Sequence, residues 1–205
     1  MRRLFFLLPL FALLSLLAGC SGGEPDKVKS FDVSIIVAAD GNFLVQEDIA
    51  VVVTTDGDIF EKGLVREIPL VLKDPSGNRH KISLDVQGVV RRGLAMPFSV
   101  NEFVDKMRIS IGSEALRLTP GEHNLTITYS VIRQPDNMST LEQFYWVVTD
   151  ETWDMSIEQA SIKVQAPSSN LVDHCAYTGP DAQVRGGCHS EILSGGIFQA
   201  RTVKP

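Results

Sequence analysis

From Phe31 onward apolar residues fall on every second position, and this alternation limits the possible folds more than any other feature of the chain. Phe31, Val33, Ile35 and Val37 share one side, and after Asp40-Gly41-Asn42 the pattern resumes with Phe43, Val45, Ile49, Val51 and Val53. A period of two belongs to a half-buried strand, and a glycine turn between two such runs predicts a β-hairpin. Further runs cover Leu64 to Leu72, Lys81 to Val90, Met107 to Ile111, Asn124 to Arg133, Gln143 to Thr149 and Ile157 to Ala166. Turn formers separate them at Asp74-Pro75-Ser76-Gly77-Asn78, Pro120-Gly121 and Pro135-Asp136-Asn137. No segment keeps a 3.6-residue period for three turns, although Val100 to Met107 predicts one short helical turn. Many short strands of unequal length predict an all-β fold, an immunoglobulin-like antiparallel β-sandwich rather than an even up-and-down barrel.

Ahead of the strands the chain carries an export leader. Arg2 and Arg3 precede an apolar run from Leu4 to Leu17, and Ala18-Gly19-Cys20 follows. The run is shorter than the roughly 20 apolar residues of a spanning helix and contains Pro9, which argues against a permanent transmembrane segment. Leu17-Ala18-Gly19-Cys20 resembles the bacterial lipoprotein signal, in which a diacylglyceryl group, palmitate-like in its chains, joins the cysteine thiol before cleavage. Several acyl chains hold a protein firmly where one holds it marginally. Residues 1–19 therefore read as signal peptide, 20–30 as lipidated anchor and flexible tether, and 31–205 as one sandwich domain. Ser21 after the cysteine resembles lipoproteins sent to the outer membrane, facing the periplasm in a two-membrane bacterium.

Charge narrows the partners. The formal charge is −6, and removing Arg2 and Arg3 with the leader leaves −6 − 2 = −8, which disfavours nucleic acid. The local basic doublet of the mature chain, Arg91-Arg92, precedes Gly93 and reads as a solvated turn.

The body resembles the domain of unknown function family 2207, predicted bacterial membrane proteins. The stretches that carry the likeness are Phe31-Asp32-Val33 through Asp40-Gly41-Asn42 to Val45-Gln46-Glu47, Arg66-Glu67-Ile68-Pro69, Arg108-Ile109-Ser110-Ile111-Gly112, Pro120-Gly121-Glu122-His123 with Ile127-Thr128-Tyr129, and Tyr145-Trp146 with Trp153. The resemblance implies an extracytoplasmic β-sandwich that in the family precedes transmembrane helices and a glycine-rich tail. This sequence departs from that pattern in its lipoprotein-type leader, in having neither helices nor tail, and in Val147 and Asp150 where Asn and Gly are more usual. The shared motifs look structural, so the resemblance implies a fold and no activity.

Cys175 and Cys188 stand thirteen positions apart in an exported chain, and the leading reading is a disulfide closing a hairpin, worth about 3 kcal/mol of loop entropy. His174-Cys175 and Cys188-His189 supply donors for zinc as the competing reading, but neighbours on a strand point to opposite faces. Asp56-Gly57-Asp58 with Glu61 lacks calcium-loop spacing, and His80 and His123 are expected on the surface beside turns. Tyr145, Trp146 and Trp153 are either sandwich core or a weak candidate surface for glycan or protein. No nucleophile elbow, zinc-protease motif, phosphate loop or dinucleotide fingerprint is present. The sequence is thus expected to encode a non-enzymatic envelope lipoprotein without cofactor or metal. Its partners would be membrane lipid through Cys20 and an envelope protein or glycan. The alternative is an envelope hydrolase or metal-dependent enzyme with a site assembled from distant strands.

Overall fold

In a computed structural model of the chain the first hairpin forms where the alternation places it. Strands β1 (Lys27–Val37) and β2 (Phe43–Val53) pair antiparallel from Lys27↔Val52 to Val37↔Phe43. Gly41 takes φ 84° in the turn between them, a left-handed conformation that glycine adopts without steric cost. The structure describes residues 25–54, 63–73, 77, 79–112, 118–133, 146–149, 153, 155–168, 177–178, 184–185 and 188–202. Among the described residues the first strand runs from Lys27, with Asp26 and Val28 buried, so residues 27–30 of the stretch expected as tether are strand.

The remaining strands are β3 (Leu64–Pro69), β4 (Val71–Lys73), β5 (Arg79–Arg91), β6 (Leu94–Ala95), β7 (Phe98–Glu102), β8 (Lys106–Ile111), β9 (Gly121–Arg133), β10 (Ala160–Gln165), β11 (Tyr177–Thr178), β12 (Val184–Arg185), β13 (Cys188–Leu193) and β14 (Ile197–Thr202). The main sheet runs β13-β14-β10-β1-β2-β9-β5-β4, with β6 added to β5. A second sheet, β3-β8-β7, completes the sandwich, and β11-β12 is a small separate ribbon. Among the described residues all strand pairs are antiparallel except β1 with β10, which run parallel from Phe31↔Ala160 to Ile36↔Gln165 and continue in the bridge Val28↔Ile157. The all-β sandwich expected from the alternation is present, and the parallel β1–β10 pair corrects only the all-antiparallel part of that expectation.

The core lies between the inner faces. Phe31, Val33 and Ile35 from β1, Phe43, Val45, Ile49 and Val51 from β2, and Leu125, Ile127, Tyr129 and Val131 from β9 meet Leu64, Ile68, Met107, Ile109 and Ile111 of the smaller sheet. The run Leu64 to Leu72 is one stretch in sequence and two strands in space. Pro69 has no amide hydrogen to continue a ladder, and at Leu70 the chain crosses between sheets. Leu70 donates its amide to the Asp105 carbonyl and accepts from the Ile82 amide at 3.0 Å. Val100 to Met107 holds no helical turn: it is the end of β7, a tight turn and the start of β8, because pairing with Ile109 and Arg108 overrides the local spacing. Trp146 to Thr149 are not in a strand either, contrary to the run expected over 143–149.

Candidate functional site: a buried ion pair between the sheets

Two charged residues occupy positions that the alternation reserves for apolar ones. Glu47 sits between Val45 and Ile49 on the inner face of β2, and Arg66 between Leu64 and Ile68 on the inner face of β3. Each sheet thus sends one charge into the core, and the two meet there. Glu47 is 0% and Arg66 1% exposed. Arg66 donates from Nε to Glu47 Oε2 at 2.9 Å and from Nη2 to Oε1 at 3.0 Å, a two-pronged pairing that only a planar guanidinium makes. Tyr129 Oη of β9 donates to the same Oε1 at 2.7 Å. Arg66 Nη1 donates to the Glu67 carbonyl at 2.6 Å, and Nη2 makes a longer contact, 3.4 Å, with the Val148 carbonyl.

Aromatic rings close the cluster. Arg66 Cζ lies 5.4 Å from the Phe31 ring centre and 5.6 Å from that of Trp153, within cation–π range of both. Phe31 and Trp153 meet edge to face at 5.5 Å. Trp146 stands edge-on to Phe43 at 5.2 Å and tilted over Tyr129 at 6.4 Å. The indole nitrogens of both tryptophans are buried with no hydrogen-bond partner among the described residues.

Burial pushes the Tyr129 hydroxyl well above its ordinary range, and the adjacent Glu47 carboxylate raises it further. Tyr129 therefore stays protonated and acts as a fixed donor. Both oxygens of Glu47 are engaged, so the carboxylate is held as an acceptor, without the freedom a general base needs. The arrangement fastens β2, β3 and β9 to one another and to Trp146, Val148 and Trp153. On the opposite surface of the small sheet, Glu67 accepts from Lys106 at 2.7 Å and Arg108 at 2.7 Å. The Lys106 hydrogen bond, with that of Arg108, holds its carboxyl below the usual glutamate range.

Trp146 and Trp153 pack against the core, as the core reading expects, whereas Tyr145 lies outside the described residues. Cys188 opens β13, and Cys20, Cys175, His174 and the Asp56 to Glu61 stretch lie outside the described residues. β11 and β12, which lie between the two cysteines in sequence, pair antiparallel over Tyr177↔Arg185 and Thr178↔Val184. His123 is a correction: it is 3% exposed, with Nε2 2.7 Å from the Thr119 carbonyl, because it faces inward from β9 beside Leu125. The Glu47–Arg66 pair was not anticipated. Its signal was present as a charged residue in the apolar phase of each of two strands, a pattern that calls for a buried partner.

A family described as "Predicted membrane protein (DUF2207) N-terminal domain" matches residues 27–205. The chain belongs to the DUF2207 family. The matched region begins at the first residue of β1. Among curated proteins, the uncharacterized protein YciQ of Escherichia coli (strain K12) is 23% identical over 142 residues, covering 67% of this chain and 22% of YciQ. The chain thus spans about a fifth of that relative's length. Similar solved structures include yeast LTA4 hydrolase (12% identity, 86% of this chain and 26% of that one, TM-score 0.46). A putative protease from Parabacteroides distasonis (14%, 87% and 35%, TM-score 0.45) and an M1 zinc metallopeptidase from Deinococcus radiodurans (9%, 88% and 39%, TM-score 0.43) are others. At such scores these likenesses carry nothing about chemistry. Within the DUF2207 domain the stretches quoted from the sequence converge: Phe31, Glu47, Arg66, Tyr129, Trp146 and Trp153 form the single cluster described above.

Proposed function

We propose that this DUF2207 domain is a lipid-anchored, extracytoplasmic module that acts by contact and not by catalysis. Cys20 carries the acyl groups, and in a two-membrane cell the domain faces the periplasm from the outer membrane. A Cys175–Cys188 disulfide staples the C-terminal hairpin in that oxidising space. The observation that carries the reading is the engagement of the sandwich's interior charges: Glu47 and Arg66 are spent on joining the two sheets. What such a domain offers outward is surface. A row of apolar side chains crosses the outer face of the main sheet, with Ile36 at 57% exposure beside Leu44 and, diagonally, Ile132. Its partner would be another envelope protein, buried against a flat sheet face of this kind.

A photo-crosslinking residue at position 36 or 44 tests this in intact envelopes, with one at Ser34 on the same face as the control. A discrete adduct from 36 and 44 but not from 34 is expected. Equal, diffuse labelling from all three would refute a contact surface. C20A separately tests the anchor: it should leave the protein out of the membrane fraction or uncleaved.

A further inference from the structure

The turn between β5 and β6 joins features that the sandwich itself does not need. Arg92 has φ 51° and Gly93 φ 78°, both left-handed, as a two-residue hairpin turn of this hand requires. The first of these positions is usually Asn, Asp or Gly, and an arginine there bears a steric cost. Arg92 is the one residue other than glycine with positive φ among those described. Beside it Leu94 is 72% exposed.

The place of this tip in the fold gives it meaning. In register, Arg91 is level with Leu125, Ile49 and Phe31, so the turn projects toward the end of the sheet where β1 begins. Glu122 connects the two directly: its carboxylate pairs with Lys29 of β1 at 2.8 Å, and its carbonyl lies 3.4 Å from Arg92 Nη2. Asp26 is pinned at the same end by the Thr54 amide and hydroxyl, at 2.7 and 3.1 Å. Asp26 stands six positions after Cys20 in sequence, a span of at most about 20 Å even fully extended. Lys27 is paired with Glu158 and Lys29 with Glu122, whereas among the described residues neither Arg91 nor Arg92 makes an ion pair. A chain that carries −8 after processing would be repelled by an anionic surface unless it turned a cationic point toward it.

We propose that the Arg91–Leu94 hairpin tip is a second membrane contact, Leu94 dipping among the headgroups and Arg91 and Arg92 pairing with anionic lipid phosphates of the bilayer that holds acylated Cys20. The proposal rests on the anchoring reading. It fixes the orientation of the sandwich, with β1's start and the β5–β6 turn toward the membrane and the Ile36 row away from it. The β7–β8 turn, where Val104 is 92% exposed, is the natural control, because the Leu70 to Asp105 hydrogen bond places it at the opposite end.

The test uses the full acylated protein in vesicles of phosphatidylcholine and phosphatidylglycerol, part of the lipid brominated to quench indole fluorescence. L94W should be quenched at least threefold more strongly than V104W. Adding R91E and R92E to L94W should remove that difference, each reversal deleting a contact worth about fivefold in surface partition. Raising salt to about 1 M should weaken it likewise. Equal quenching of L94W and V104W, or quenching of L94W unaffected by R91E and R92E, would overturn the proposal. Flotation of the same samples separates the two readings: protein that floats with the vesicles but shows no selective quenching of L94W refutes the hairpin contact alone, and protein that does not float refutes the anchor and the contact together.

Discussion

Replacing Glu47 by glutamine keeps the shape of the cluster and removes only its negative charge. Two unit charges about 4 Å apart attract by about 4 kcal/mol at the effective dielectric of about 20 that suits protein sites. Arg66 at 1% exposure cannot regain this from water. Breaking a buried pair on one side typically costs about 3–5 kcal/mol, because the surviving charge stays desolvated. The amide oxygen of E47Q still accepts from Arg66 or Tyr129, which places the expected loss near the lower end, about 3 kcal/mol. Set against a typical domain stability of about 5–15 kcal/mol, the change is large and measurable. Urea titration followed by tryptophan fluorescence is the assay, since Trp153 lies 5.6 Å from Arg66 Cζ and Trp146 stacks near Tyr129. The midpoint should fall with an unchanged slope. E47L combined with R66M, which removes both charges, should cost less than E47Q alone. A loss under about 1 kcal/mol in E47Q, or a double variant as unstable as the sum of its singles, would refute the account of this pair as a mutually dependent clamp.

Other consequences follow from single positions. Gly63 has φ +91°, and a Cβ built there would stand 2.1 Å from the Ile111 carbonyl oxygen, so G63A should lower stability by about 2 kcal/mol or more in the same titration. Glu67 is held below its ordinary range by Lys106 and Arg108, so its contribution is present above the unfolded glutamate value of about 4.3 and fades as pH falls through the lower folded value. Because Lys106 and Arg108 are over a third exposed, E67Q should cost only about 0.5–1 kcal/mol at pH 7 and nothing near pH 2; a pH-independent cost would count against the ion pairs. Reductant should lower the melting temperature by several degrees without loss of β circular dichroism if Cys175 and Cys188 are joined, and two alkylatable thiols in freshly exported protein would disprove the bridge.

The strands and their inner faces were legible because a strand's two-residue period is a local property. The hairpin of β1 and β2, the inward set from Phe31 to Val53 and the turn at Gly41 follow from residues within about twenty positions of one another. The expectation of an export leader ending at Cys20 likewise rests on a linear pattern, two arginines, a short apolar run and small residues, that needs no tertiary structure to be read. The pairing of β1 with β10 joins residues well over a hundred positions apart, and nothing in either strand's pattern says parallel or antiparallel. Val100, Val104 and Met107 carry helical spacing, yet they lie in and between β7 and β8, where hydrogen bonds to a neighbouring strand outweigh a single helical turn. Glu47 and Arg66 each occupy the apolar phase of their own strand, but which charge answers which is a matter of the two sheets meeting. Alternation decides which side of a strand is buried; only the closing of one sheet on the other decides what each buried side chain touches.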